Sequence, residues 1–159
     1  MIKNLKNPKD LVICLKFLIH LSLTDDEIYK SINSIIRKHM GSIFEKNEDS
    51  VEKIISGIND SELIQFTIES FLKLQNESEA TKKEIMQMIE EIIFADDDVL
   101  PSESKFYEMA KRYLNVQRFE VNPSVELFEY LNVLNLVSSS DFANIDEFAE
   151  IWVKYMGPD

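Results

Sequence analysis

Glycine and proline are scarce: three and four residues in a chain of 159. Tight turns depend on these two residue types, so their scarcity excludes a fold of many short strands and implies long helices. A single cysteine, Cys14, excludes an intrachain disulfide and a thiolate zinc cluster. It lies in an apolar run, where its expected role is that of a small buried hydrophobe. The two histidines, His20 and His39, have no Cys, His or acid three or four residues on to complete a ligand pair. His39 is expected to do no more than meet the negative end of a helix. Three scattered glycines cannot build a phosphate loop. Ser138-Ser139-Ser140 lacks a nucleophile elbow and reads as a loop that caps a last helix.

Basic residues are also in short supply. Seventeen Lys and Arg face 29 Asp and Glu, for a formal charge of -12. Without a basic stripe the chain cannot displace the counterions of a nucleic-acid backbone, so no nucleic-acid partner is expected. The same balance argues against an anionic membrane surface and favours cations or basic partners. A long apolar run is missing as well. Lys3, Lys6 and Lys9 precede Leu11–Leu23, which resembles the start of a signal peptide. However, Lys16 and His20 interrupt the run, no small-residue cleavage site follows, and a bilayer span needs roughly 20 apolar residues. A cytoplasmic protein with an amphipathic first helix and no membrane insertion is expected.

What is present suits an all-α chain. Hydrophobic residues make up 45% of it, enough for one real core at this length. A single compact domain over 1–159 is expected, with its core at about 8–156 and about seven to eight helices. The first helix starts at Asn7-Pro8 and runs to about Ser22, with Leu11, Cys14, Leu15, Leu18 and Ile19 inward. Thr24 and Glu27 form a capping box for the second, whose stripe is Ile28, Ile32, Ile35 and Ile36 and whose stop is Gly41. The polar stretch Glu45–Asp49 reads as a loop before a short helix carrying Val51, Ile54 and Ile55 and closing near Gly57. Asn59 to Glu62 caps a fourth helix to about Leu74, with Leu63, Phe66, Thr67, Phe71 and Leu74 inward. After a polar turn at Gln75–Thr81, a fifth runs from about Lys82 to Ala95. It becomes apolar nearly all round, as a central helix would. Pro101 opens a sixth, with Phe106, Met109, Ala110, Tyr113 and Leu114 inward and Asn115 at its end. Two more are expected, one from Asn122-Pro123-Ser124 with Val125, Phe128, Leu131 and Leu134, and one with Phe142, Ile145, Phe148, Ala149 and Trp152. The aromatics of that last helix, with Tyr155, are core or a docking face for a protein partner.

One stretch does what a generic bundle does not need. In Glu91–Glu103 an apolar helix runs into Asp96, Asp97 and Asp98, and Pro101 then starts a helix with Glu103 in its first turn. Acids at a helix C-terminus are unfavourable by about 0.3–1 kcal/mol each. A short turn that returned Glu103 to the aspartates would gather carboxylate oxygens for a hard cation, calcium or magnesium. The bland alternative is a solvated turn in which an aspartate caps the sixth helix. The EF-hand pattern does not fit, since counting from Asp96 puts Leu100, Pro101 and Tyr107 where an acid, a glycine and a glutamate belong. No motif beyond the acids supports an enzyme. A fainter echo lies upstream, where Leu-Ile-His-Leu-Ser leads through a turn to Asp25-Asp26-Glu27 and a new helix.

At these residues the chain resembles the tellurite-resistance TerB-like family. The resemblance rests on Ala95, Asp96, Pro101 and Glu103, with a following helix that closes on Tyr113-Leu114-Asn115-Val116. In that family an Ala-Asp-Gly triplet, a short turn, Pro and Glu join two helices, and a Leu-Gly-Leu-like stop follows. Asp97 stands where the family has Gly, and Leu100 where it has a capping residue. The resemblance implies an all-helical fold with a repeated motif. It also implies a divalent-cation site among the acids, for which Asp96, Asp98, Glu103 and Asp97 are the candidates. The implied role is non-enzymatic, in tellurite or chemical-stress resistance, with a protein partner near the membrane. The alternative is a structural or protein-interaction module that has lost the metal site.

Overall fold

A computed structural model describes residues 1–22, 25–95 and 99–116. The described part holds six helices and no strand: α1 (Pro8–Leu21), α2 (Asp26–Met40), α3 (Ile43–Ile55), α4 (Asp60–Leu74), α5 (Glu79–Ile93) and α6 (Pro101–Leu114). The all-helical expectation is met for these residues. The two helices expected beyond Asn122, the loop at Ser138–Ser140, and the aromatics Phe142, Phe148, Trp152 and Tyr155 lie outside them.

Among the described helices α1 is packed more heavily than α5, which was expected to be central. It packs against α3, α4 and α6, whereas α5 packs against α2 and α6. The cause is visible in burial. Leu11, Val12, Ile13, Cys14 and Leu15 are consecutive and all buried, and Phe17 and Leu18 follow. Five successive residues cover every side of a helix, so α1 is surrounded rather than half-wetted. Cys14 is buried as expected, and burial pushes its thiol well above the ordinary range, with the Asp10 charge adding to the effect. At the centre Phe106 of α6 meets Phe17 of α1 and Phe71 of α4 edge to face, at 6.0 and 5.7 Å between ring centres.

The stretch expected to be a loop at Glu45–Asp49 is helical, because α3 runs unbroken from Ile43 to Ile55. Phe44 and Val51, two turns apart, are its buried residues. Glu48 and Glu52, one turn apart, both reach Lys16 of α1, at 2.5 and 3.0 Å, and the Lys16 ammonium lies 5.6 Å from the centre of the Phe44 ring. The Asn47 amide and Ser50 hydroxyl donate to the helix's own carbonyls at Ile43 and Asn47. Polar residues that signal a loop locally are here the wet face of a helix held through its charges to α1.

Smaller corrections follow the same logic. Phe66 is 37% exposed and Ile54 42% exposed. In α4 the buried arc is Leu63, Ile64, Thr67, Ile68, Ser70, Phe71 and Leu74, which leaves Phe66 just beyond its edge. The N-cap of α2 is Asp25, whose carboxylate accepts from the Ile28 N–H at 2.9 Å, and not Thr24, which lies outside the described residues. Helix α5 begins at Glu79, with the Ser78 hydroxyl accepting from the Thr81 N–H, so the expected turn at Gln75–Thr81 is shorter. Asn59 caps α4 as expected.

The start of α1 is tied to the turn between α4 and α5. The Glu77 carboxylate is buried and accepts from the N–H groups of Lys6 and Asn7 and from the Asn7 amide, at 2.8 to 3.1 Å. Asn7, the natural capping residue of α1, therefore donates its side chain away while a distant acid holds the helix start. At the other end of α2, Gly41 has φ 61° and ψ -131°, a backbone region essentially limited to glycine.

Candidate functional site

The helix ends around Glu103 are built by local chemistry. Pro101 sits at the first helical position of α6, where its missing N–H costs nothing. Leu100 precedes it with an extended backbone and has no side chain able to cap. Glu103 supplies what Leu100 lacks on one side: its Oε1 accepts from the Leu100 N–H at 2.9 Å. The residue is 3% exposed. A carboxylate in a helix's first turn also faces the positive end of the dipole.

The other oxygen of Glu103 turns towards α1. Its Oε2 accepts from the Ser22 hydroxyl at 3.0 Å, and Ser22 follows the last residue of α1. The same hydroxyl lies 3.0 Å from the Leu18 carbonyl. Beside it, the Ser102 hydroxyl donates to the Leu21 carbonyl at 3.4 Å. The end of α1 and the start of α6 are thus fastened together, 81 residues apart in sequence. These are the two places where the sequence shows its echo, and the structure brings them into contact. Val99, just before the joint, is buried, and Ala95, just before the aspartates, is partly buried against the core.

Of the four candidate cation ligands, Glu103 is placed by the structure, while Asp96, Asp97 and Asp98 lie outside the described residues. Among the described residues no group of three or more His, Cys, Asp or Glu is arranged to hold a metal ion. The donor set expected here is all oxygen, the set a hard cation takes.

Helix α6 is buried on all sides near this joint. Ser102, Glu103, Ser104, Lys105, Phe106 and Tyr107 are consecutive and buried. Burial pushes the Tyr107 hydroxyl well above its ordinary range, with Glu90 and Glu108 adding to it. Burial also holds the Lys105 ammonium below its ordinary value, against the opposing pull of Glu108. Asn115 ends the helix in a left-handed conformation, φ 54°. Its carbonyl accepts from Lys82 at 3.4 Å, and the Tyr113 carbonyl accepts from Gln75 at 2.5 Å.

Sequence reasoning missed His39. It is not merely a cation at a helix end. Its ring is 5% exposed, with Nδ1 3.1 Å from a Glu84 oxygen and Nε2 3.0 Å from a Glu91 oxygen. The signal was present as an acidic stripe, since Glu84 and Glu91 lie two turns apart on one side of α5. Nothing local to His39 pointed there. His20, in contrast, is exposed and lies 3.5 Å from Asp60.

An open hollow of about 400 Å³ lies between α2 and α3, lined by Tyr29, Lys30, Asn33, Arg37, Phe44 and Glu45 among others. Arg37 pairs with Glu45 across it. It does not reach Glu103. No family model, curated protein or solved structure matches the chain.

Proposed function

We propose that the chain is a non-enzymatic TerB-like protein that binds a divalent cation, calcium or magnesium, at the α5–α6 joint. Asp96, Asp98 and Glu103 are the leading ligands, with Asp97 beside them. The observation that carries the reading is the Glu103 carboxylate. It is buried, held in one orientation by the Leu100 N–H and the Ser22 hydroxyl, and set five residues beyond the aspartate triplet. A cation at this joint would offset the cost of three acids past a helix C-terminus. Because Glu103 is fastened to the end of α1, binding would tighten α1 against α6 as well as closing the turn.

The resemblance extends this reading to tellurite or chemical-stress resistance, with a protein partner near the membrane. Attachment through a partner accords with the helices, since no described helix is long and apolar enough to cross a membrane. Growth on tellurite of cells with and without the chain tests the stress role.

A second reading is a structural or protein-interaction module without a cation. Its supporting observation is that both Glu103 oxygens already accept a hydrogen bond, which accounts for the burial on its own. Calorimetric titration with calcium, magnesium and manganese separates the two. Heat on the native chain that disappears in an Asp96→Asn/Glu103→Gln double variant supports the cation site. Silence on the native chain, or equal heat in the variant, leaves the module reading.

A further inference from the structure

The ring of His39 faces a carboxylate oxygen on each nitrogen, Glu84 on one side and Glu91 on the other. An ionised carboxylate only accepts, and a neutral imidazole donates from one nitrogen only. The ring can satisfy both partners only by donating from both, which is the imidazolium. We propose that α2 is latched onto α5 by this charged ring, so that the contact between the two helices is controlled by a proton on His39.

The surroundings favour the charged form of the cluster. On its own helix, Lys38 reaches both oxygens of Glu91, at 3.0 and 3.1 Å. Partial burial pushes the Glu91 carboxyl up, but the hydrogen bonds from His39 and Lys38 outweigh it and hold it below its ordinary value. From α5, Glu84 lies 3.5 Å from the Met1 amino group, and Glu90 adjoins Glu91. From α3, which also packs on α2, Glu45 pairs with Arg37 and Glu48 with Lys16. The His39 carbonyl accepts from the Ile2 N–H at 2.8 Å, so the start of the chain rides on the same residue.

Loss of one ring proton leaves a lone pair facing a carboxylate 3.0 or 3.1 Å away. The latch is then whole while His39 is charged and is lost as pH rises. On the acid side it is lost again once Glu91 takes up a proton. This device is independent of the α5–α6 joint and stands or falls apart from the cation reading.

The test uses the full native chain. Nitrogen NMR of the ring at about pH 6 reads its protonation directly, and amide hydrogen exchange, corrected for its intrinsic pH dependence, reads the latch. Two protonated nitrogens are expected on His39. Protection in the last turn of α2 should fall about tenfold as the ring loses its proton with rising pH. The fall should vanish in His39→Gln and persist in His20→Gln. One bare nitrogen on His39 at about pH 6, or the same fall in native chain and His39→Gln, overturns the proposal. Should His39→Gln fail to fold, the ring spectrum of the native chain decides by itself.

Discussion

Replacing Glu103 by glutamine and by alanine should give two very different proteins. Alanine removes the acceptor for the Leu100 N–H and for the Ser22 hydroxyl, and it empties space in a residue that is 3% exposed. Hydrogen bonds to a charged group contribute about 1.5–3 kcal/mol each, and a donor left buried costs about 1–3 kcal/mol. The Ser22 hydroxyl recovers part of this, because the Leu18 carbonyl is 3.0 Å away and can take its proton. A net loss of about 2–4 kcal/mol follows. At about 2–4 °C per kcal/mol for a chain of this size, Tm should drop by about 4–15 °C. Glutamine keeps the geometry. Its carbonyl oxygen can accept from Leu100, and its NH2 can donate to the Ser22 oxygen while the Ser22 hydrogen turns fully to Leu18. The cost should stay below that of alanine, at about 1–2 kcal/mol, since two charge-assisted bonds are each replaced by a neutral one. Thermal and urea unfolding without added metal measure both. Equal losses for glutamine and alanine would refute the pin, because the charge rather than the bonding pattern would then hold the joint. A loss under about 0.5 kcal/mol for alanine would refute it too.

Further outcomes follow from the core, the turn and the charges. Phe71→Ala should cost about 3–5 kcal/mol by urea unfolding, because the ring is wholly buried against Phe106. Phe66→Ser should cost less, about 1–2 kcal/mol, since that ring lies at the edge of the buried arc of α4 and is 37% exposed. Gly41→Ala should cost about 1–3 kcal/mol, as its φ of 61° strains any side chain and the added carbon would meet the Met1 sulfur at 3.0 Å. Acid should loosen α2 from α5: the Glu91 carboxyl is held below its ordinary value, so its contribution is complete above the unfolded carboxylate range and fades as pH falls through the folded one. Glu91→Gln should flatten that acid limb in a pH series of Tm values.

The helical plan was readable wherever the signal was local. Asn59, Pro8 and Pro101 mark helix starts through their own backbone chemistry, and the structure puts starts there. The stripe of α6 was also right, since Phe106, Met109, Ala110, Tyr113 and Leu114 recur at helical spacing and are buried. Errors arose where a distant partner decides. Glu48 and Glu52 look like loop residues until Lys16 of α1 is placed against them. The heavy packing of α1 was hidden because Lys16 and His20 gave it a merely amphipathic pattern, although Lys16 is absorbed by α3 and His20 sits at an edge. For the joint, Glu103 in a first turn was legible from Pro101 and spacing. Its bond to Ser22 was not, because nothing in either segment encodes a contact across 81 residues. His39 was misjudged for the same reason, its partners lying 45 and 52 residues on.

The hold of Glu77 on the start of α1 has a consequence for how the chain is made. Helix α1 leaves the ribosome before α2 to α6, yet the N–H groups that lead into it wait for an acid 70 residues later. Its end waits longer still, for a glutamate in α6. Until both arrive, a strongly apolar helix is without its packing partners, and contacts of such high sequence separation slow folding relative to a simple up-and-down bundle. Helix α1 is therefore made well before the residues that hold its two ends, and a truncated chain ending before Glu77 should expose α1 to chaperones or to aggregation.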